Sequence, residues 1–234
     1  MRRFILAALL AAMAVPQVAH AADVPGYGSL HSFAAFRHGQ NIGRHTISFQ
    51  RNGSEVTVST SVDFAVKVLG LTAYRYTNRT REVWNGDTFM ALSAQTDDNG
   101  KKFRVDIKRD LSGLRVERFA QSEVVRASTA DEGFPHHATI RETVPGQVLP
   151  TTYWNFRQLR QGVLLDTQYG TEAHVHAVTI GRETIKTATG TLQATHYRYS
   201  GDIAMDQWFD SRDRWVKATF VAYDGSTIEY ILQE

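Results

Sequence analysis

Val56, Val58, Thr60, Val62, Phe64, Val66 and Val68 occupy every even position over thirteen residues, with Ser59, Ser61, Asp63 and Lys67 between them. An apolar period of two is the pattern of a strand with one buried and one wetted face. The stretch Ala73 to Trp84 repeats it, with Arg75, Arg79 and Arg81 at odd positions and Tyr74, Tyr76 and Trp84 at even ones. In an extended chain the arginines and the aromatics then lie on opposite faces. Further strands are predicted at Thr171 to Ile180, Thr184 to Thr189, Leu192 to Ser200, Ile203 to Phe209, Trp215 to Tyr223 and Ser226 to Leu232.

Asn52-Gly53, Asn85-Gly86, Asn99-Gly100 and Asp224-Gly225 punctuate these runs. Such dipeptides suit tight hairpins, whose central residues need positive φ. A two-residue Asn52-Gly53 turn pairs Arg51 with Ser54 and sets Phe49 opposite Val56 and Ile47 opposite Val58. The Asn99-Gly100 turn pairs Asp98 with Lys101, Asp97 with Lys102, Ala94 with Val105 and Leu92 with Ile107. Opposite charges then meet on one side and apolar residues on the other. At Asn85-Gly86 a two-residue loop would turn the three arginines inward, beside Met90 and Leu92. A three-residue loop, Asn85 to Asp87, groups Tyr76, Trp84, Met90 and Leu92 instead. Burying three unpaired arginines costs far more than an imperfect turn, so the longer loop is expected.

The outward face then collects Arg75, Arg79, Arg81, Ser93, Gln95, Asp97, Lys102, Arg104, Asp106 and Lys108. One reading is a solvated face that discourages edge-to-edge aggregation. The sharper one makes Arg75, Arg79, Arg81 and Arg104 a docking surface for an anionic ligand, such as a phosphorylated envelope glycolipid.

From Ala127 to Gly162 the alternation breaks, at Pro135, Pro145, Gly146 and Pro150. Thr151 and Thr152 are placed to cap a short helix with Tyr153, Trp154, Phe156 and Leu159 on its apolar side. This segment is expected to plug or lid the sheet. The fold class that follows is mainly β: a strongly curved antiparallel meander, a half-barrel or open barrel, with a short helical plug. Tyr74-Arg75-Tyr76 before Trp84 is echoed by Tyr197-Arg198-Tyr199 before Trp208, as two similar strand pairs in one sheet.

The chain begins with Arg2 and Arg3, an apolar run from Phe4 to Val15, and Ala19-His20-Ala21. This is the pattern of a cleavable signal peptide over residues 1–21, too short to span a bilayer. The mature chain is expected to start near Ala22 as one antiparallel β domain, 22–234, in the periplasm, and to be a monomer. No second stretch is apolar enough for a transmembrane helix. The whole chain holds 26 Lys and Arg against 24 Asp and Glu; the first 21 residues take two arginines and no acid, leaving 24 of each. A neutral chain gives no reason to expect nucleic acid as a partner. There is no cysteine, so no disulfide, thiol nucleophile or thiolate zinc site is available, and a hydrophobic core must hold the fold.

His174 and His176 share one strand face at a spacing that metal sites use, and His136-His137 lies in the irregular segment, but a third ligand and an HExxH helix are missing. Asp202, Asp206, Asp210, Asp213, Asp224 and Glu229 cluster late, where acid–base chemistry would need two of them to converge. No GxSxG elbow or phosphate-cradling glycine loop is present. No catalytic residue, metal ligand or cofactor is therefore assigned. The aromatics are expected mostly in the core, with Tyr74, Tyr76, Tyr153, Trp154 and Trp208 as candidates for lining a ligand groove.

The stretches "HGQNIGRHTISF", "VLGLTAYRYTNRTREVWNGD", "TDDNGKKFRV", "LPTTYWN" and "DQWFDSRDRWVKATFVAYDGSTIEYIL" together resemble the exported bacterial family numbered 6134 among domains of unknown function. The resemblance covers nearly all of the chain after the signal segment. It implies an exported β protein and carries no established activity or catalytic residue. The architecture is also similar, by fold analogy alone, to the periplasmic lipoprotein carriers. The favoured function is non-enzymatic binding of an apolar or amphipathic envelope ligand, a lipid for instance, on the concave side. One alternative is a hydrolase acting on an envelope polymer or lipid through the late carboxylates. Another is a structural, partner-binding domain.

Overall fold

The computed structural model describes residues 26–120 and 139–233. The expected signal peptide, the start near Ala22 and His136-His137 lie outside the described residues. The strands are β1 (Leu30–Arg37), β2 (Gln40–Asn52), β3 (Glu55–Val68), β4 (Leu71–Asn85), β5 (Thr88–Asp98), β6 (Lys101–Asp110), β7 (Gly113–Ala120) and β8 (Thr139–Val144). After them come β9 (Leu149–Pro150), β10 (Val163–Leu165), β11 (Glu172–Thr187), β12 (Gly190–Gly201), β13 (Met205–Phe209), β14 (Trp215–Val221) and β15 (Thr227–Leu232). All fifteen form one sheet in the order β8-β7-β6-β5-β4-β3-β2-β1-β15-β14-β13-β12-β11-β10-β9. Its neighbours are antiparallel except the short β9–β10 pair. The two expected strands at 171–180 and 184–189 are one strand, β11, with Ile180 bulged out between Thr179 and Gly181.

The turns explain the register. Asn99 and Gly100 both have positive φ, 50° and 93°, and the pairing of Asp98 with Lys101 and Leu92 with Ile107 follows as expected. At the β2–β3 turn only Gly53 has positive φ, 60°, which is the II′ pattern with glycine first. Asn52 therefore pairs with Glu55, Phe49 faces Val58 and Ile47 faces Thr60. The expected register is wrong by two residues, and a shift of two keeps every side chain on its face. Gly86 (φ 53°) likewise opens a two-residue turn, Asn85 pairing with Thr88. The expected three-residue loop is absent. A bulge that pairs Trp84 with Phe89 and Val83 with Ala91 leaves Met90 as the extra residue and restores the face. Phe89, not Met90, is the buried member, and Arg75, Arg79 and Arg81 point outward.

Val56, Val58, Thr60 and Val62 are buried as the alternation requires, but burial fades from Phe64 onward and Val68 is 54% exposed. The last β2 partner is Gly43, opposite Phe64, and the last β5 partner is Asp98, opposite Tyr76. Beyond those rungs β3 and β4 continue as a two-stranded ribbon, held at its base by the Asn99 N–H on the Arg75 carbonyl at 2.8 Å.

The interior is filled by the segment 145–171. It contains β9, one turn of 3-10 helix at Phe156–Arg160, and β10. The expected caps, Thr151 and Thr152, do not cap it. Asn155, immediately before the turn, accepts the Arg157 N–H through its side chain at 3.0 Å. Tyr153 and Trp154 precede the helix rather than lying on it. The segment reaches the far arm of the sheet: Arg118 donates to the Gly170 carbonyl at 3.3 Å, Tyr76 Oη to Gln168 at 3.0 Å and Arg157 to the Asp87 carbonyl at 2.6 Å. At Gly170 a Cβ would meet the Arg118 Cβ at 2.9 Å, so only glycine permits that approach. The open barrel is thus closed by packing rather than by strand pairing.

Candidate functional site

The inner row of β4 reads Tyr76, Asn78, Thr80, Glu82, Trp84. Asn78 donates to Thr96 at 2.8 Å. Glu82 is fully buried and accepts two indole N–H groups, from Trp84 at 3.0 Å and from Trp154 of the filling segment at 2.9 Å. Burial pushes its carboxyl up to about 7, against the opposing pull of the two indoles and Thr152. The indole rings meet edge-on at 5.5 Å. Behind them, Tyr27 donates to the Trp154 carbonyl at 2.8 Å and accepts the Trp215 N–H at 2.6 Å. Glu82 and Tyr27 therefore tie the filling segment to both halves of the sheet.

Next to this tie lies an aromatic chamber. Tyr153, held at φ 64°, packs 6.0 Å from Trp215. Trp215 meets Phe33 at 4.5 Å, His45 at 5.2 Å and Tyr230 at 5.8 Å. Phe64 joins Tyr76 to Tyr230, 5.9 Å from each. Burial raises the hydroxyls of Tyr76, Tyr153, Tyr199 and Tyr230 well above the usual tyrosine range.

Several polar atoms on this inner face have no hydrogen-bond partner: both ring nitrogens of His45, the Trp215 indole N–H, the Tyr199 hydroxyl, and the Thr60 and Thr80 hydroxyls, which face each other across β3 and β4. Burial holds the His45 imidazole down to about 3, with His31 a lesser cause. His31 donates to the Trp215 carbonyl at 2.6 Å, and burial lowers it to about 4 against that bond.

Of the predicted groove residues, Tyr76 and Tyr153 line the chamber and Trp154 adjoins it at Glu82. Tyr74 stands at the rim, donating to Asp98 at 2.7 Å. Trp208 does not join them. Register sets it between His196 and Lys217 on the outer face, where it stacks on His196 at 4.3 Å, lies 4.9 Å from the Lys217 ammonium and donates to Glu183. On the outer arginine row, Arg79 pairs with Asp63 at 2.6 Å and Arg104 with Asp106 at 2.7 Å, while Arg81 donates to Thr57 at 3.3 Å. Arg75 is exposed.

His174 and His176 are exposed, and no group of three or more metal-ligating side chains occurs among the described residues. Five of the six late carboxylates are committed separately: Asp202 to the His174 N–H, Asp206 to His196 and Arg198, Asp210 to Arg214, Asp224 to Arg37 and Glu229 to Lys217. Two surface depressions of about 260 and 470 Å³ are lined by residues such as Arg214 and Thr189, and Arg109 and Arg157, respectively. Neither is an apolar hollow beside Tyr153 and Trp154. No described helix is long and apolar enough to cross a membrane.

Sequence reasoning missed Glu82 and His45. The signal was there: Asn78, Thr80 and Glu82 are three polar residues in succession on an inward row.

The family model for the domain of unknown function DUF6134 matches residues 33–233, and the chain belongs to that family. No curated protein matches the chain. Among solved structures it is similar to a β-barrel-like protein of the domain of unknown function DUF1849 from Brucella abortus. The two share 13% identity at a TM-score of 0.55, over 88% of this chain and 94% of the other. That likeness concerns the fold.

Proposed function

We propose that this member of the DUF6134 family is an exported, periplasmic, non-enzymatic protein that holds an amphipathic envelope ligand, an acyl chain with a polar head, against its inner aromatic face. The observation that carries the reading is unused hydrogen-bonding capacity among rings. His45, Trp215 and Tyr199 leave donors and acceptors unpaired in the filled state. Each such atom costs about 1–3 kcal/mol. A ligand with an apolar body and a polar head would offer surface to the rings and partners to those atoms. The segment 145–171 is the filler that the ligand displaces, through movement of Tyr153 and Trp154. The N-terminal basic and apolar run supplies the export.

The test is titration with a dansyl-labelled fatty acid, followed by its emission. Saturable binding with one site per chain is expected, weakened severalfold in Trp215→Phe and Tyr199→Phe, which keep the rings and remove the polar atoms. Absence of binding by the folded protein would leave a filled structural domain and defeat the reading.

A further inference from the structure

The β3–β4 ribbon ends in a turn whose chemistry is unlike that of its neighbour. Leu69 and Gly70 take positive φ, 51° and 81°, as Asn99 and Gly100 do in the β5–β6 turn. Asparagine is favoured at that first position, because its short polar side chain tolerates the left-handed region. Leucine gains no local hydrogen bond there, and Leu69 is 99% exposed. Leu71 beside it is 75% exposed and Val68 is 54% exposed. The turn thus accepts backbone strain to hold apolar side chains in water, where a polar residue would serve the fold better.

The end of the ribbon also stands clear of the sheet. Its rungs beyond Phe64 and Tyr76 are Ala65 with Arg75, Val66 with Tyr74, Lys67 with Thr72 and Val68 with Leu71. The Arg75 carbonyl still accepts the Asn99 N–H at 2.8 Å and the Tyr74 hydroxyl donates to Asp98, so the outermost rungs, from Lys67 and Thr72 on, are the ones clear of β5. At about 3.3 Å per residue, Leu69 reaches roughly 17 Å past Phe64. From Phe64 to Tyr76 the ribbon carries Lys67 and Arg75 and no carboxylate. The β14–β15 turn lies at the same end of the strands and exposes Val221 and Tyr223.

We infer that the Val68–Leu71 tip is a membrane anchor that inserts into the head-group region of an anionic phospholipid bilayer, with Lys67 and Arg75 on the lipid phosphates. An apolar tip with cations set one and three rungs behind it matches that interface, where apolar faces bury about 5–10 Å into the boundary between head groups and acyl chains. The cations select for negative charge, and the leucines supply insertion. This anchor is independent of the chamber: it places the protein on a lipid surface whether or not the chamber holds a ligand.

The absence of cysteine makes the test clean. Leu69→Cys and, as the control on the neighbouring turn, Asn99→Cys are each labelled with an environment-sensitive fluorophore. They are then mixed with vesicles of phosphatidylcholine alone or with phosphatidylglycerol. A blue shift at 69 but not at 99, on the anionic vesicles alone, is expected. In unlabelled protein, Leu69→Asn with Leu71→Ser should lower co-sedimentation with anionic vesicles about tenfold or more while leaving the melting temperature at or above the parent's. Lys67→Glu with Arg75→Glu should abolish the preference for anionic lipid. Equal shifts at both turns, unchanged co-sedimentation of the leucine variant, or a dimer that Leu69→Asn dissociates in the absence of lipid would overturn the assignment.

Discussion

β4 presents Arg75, Arg79 and Arg81 to water on one side and buries Asn78, Thr80 and Glu82 on the other, alternating residue by residue. On the outer side Arg79 is still half exposed while paired with Asp63. Solvent can stand in for any partner there, so a lost contact costs little. On the inner side Glu82 depends on two indoles and Thr152, and Thr80 has no partner at all. Polarity in the sequence is the same on both rows; what differs is whether water is available to replace a missing partner. The outer row is built for solubility and adjustable contact. On the inner row an unpaired atom such as the Thr80 hydroxyl carries the full cost of its burial.

The largest effects should come from forcing an outer-face chemistry inward. Val62→Asp places an unpaired charge on the buried side of β3 and should abolish folding, by roughly 4 kcal/mol or more. Ser61→Asp, one residue away on the outer side, should be nearly neutral. Circular dichroism melts of the pair decide it, and equal damage from both would dissolve the distinction between faces.

Glu82→Leu comes next. It strands the Trp84 and Trp154 N–H groups, at about 1–3 kcal/mol each. Glu82→Gln keeps an acceptor and should lose about 1 kcal/mol or less near neutral pH. Urea denaturation of both variants measures the difference, and equal midpoints would show that the indoles do not need this partner.

The pH dependence follows from the same buried groups. His31 and His45 titrate at about 4 and 3 in the folded protein, below the ordinary 6.5. As pH falls below 6.5 the unfolded chain takes up these two protons first, so stability drops. Glu82 has the opposite sign: its folded value near 7 lies above the ordinary 4.5, so between those values the folded state gains a proton and stability. The net between pH 6.5 and 4.5 is about one proton, or roughly 1.4 kcal/mol lost per unit of falling pH. Below 4.5 the Glu82 gain is complete and the loss steepens, until His31 also takes up its proton in the folded state near pH 4. In Glu82→Gln the steeper loss should begin already at 6.5, and His45→Phe should halve it. A stability that stays flat from pH 7 to 5 in the parent would contradict the buried histidines.

The smallest effect belongs to the outer row. Arg75→Glu should change the melting temperature within error, and the triple change of Arg75, Arg79 and Arg81 to Glu by at most a few kcal/mol, since each exposed charge is worth about 1 kcal/mol or less. Unfolding of the triple variant would mean that these arginines carry packing that their exposure does not suggest.

Much of the fold was legible because strands and turns are local signals. Alternation set the faces of Arg75, Arg79 and Arg81, and Asn99-Gly100 set a register because both residues take the positive φ that its turn requires. Asn52-Gly53 misled by two residues because glycine alone supplies the positive φ there, as the first central residue. The site was much less legible. Trp154 meets Glu82 across 72 residues of sequence, through a segment without periodicity. Trp208 looked like Trp84 in its local pattern, yet its register puts it on the outer face. His174 and His176 drew attention by their spacing, while His45, on the inward row with Ile47 and Phe49, is the histidine that the fold isolates.

The claim that joins these observations is that the inner face is made for an amphipathic ligand. Native mass spectrometry of the protein purified gently from a bacterial envelope fraction tests it most directly. The account predicts a major species at the mass of the chain plus one lipid, converted to the bare chain by organic extraction and depleted in Trp215→Phe. A parent protein that appears only as the bare chain, from an envelope extract rich in lipid, would contradict it.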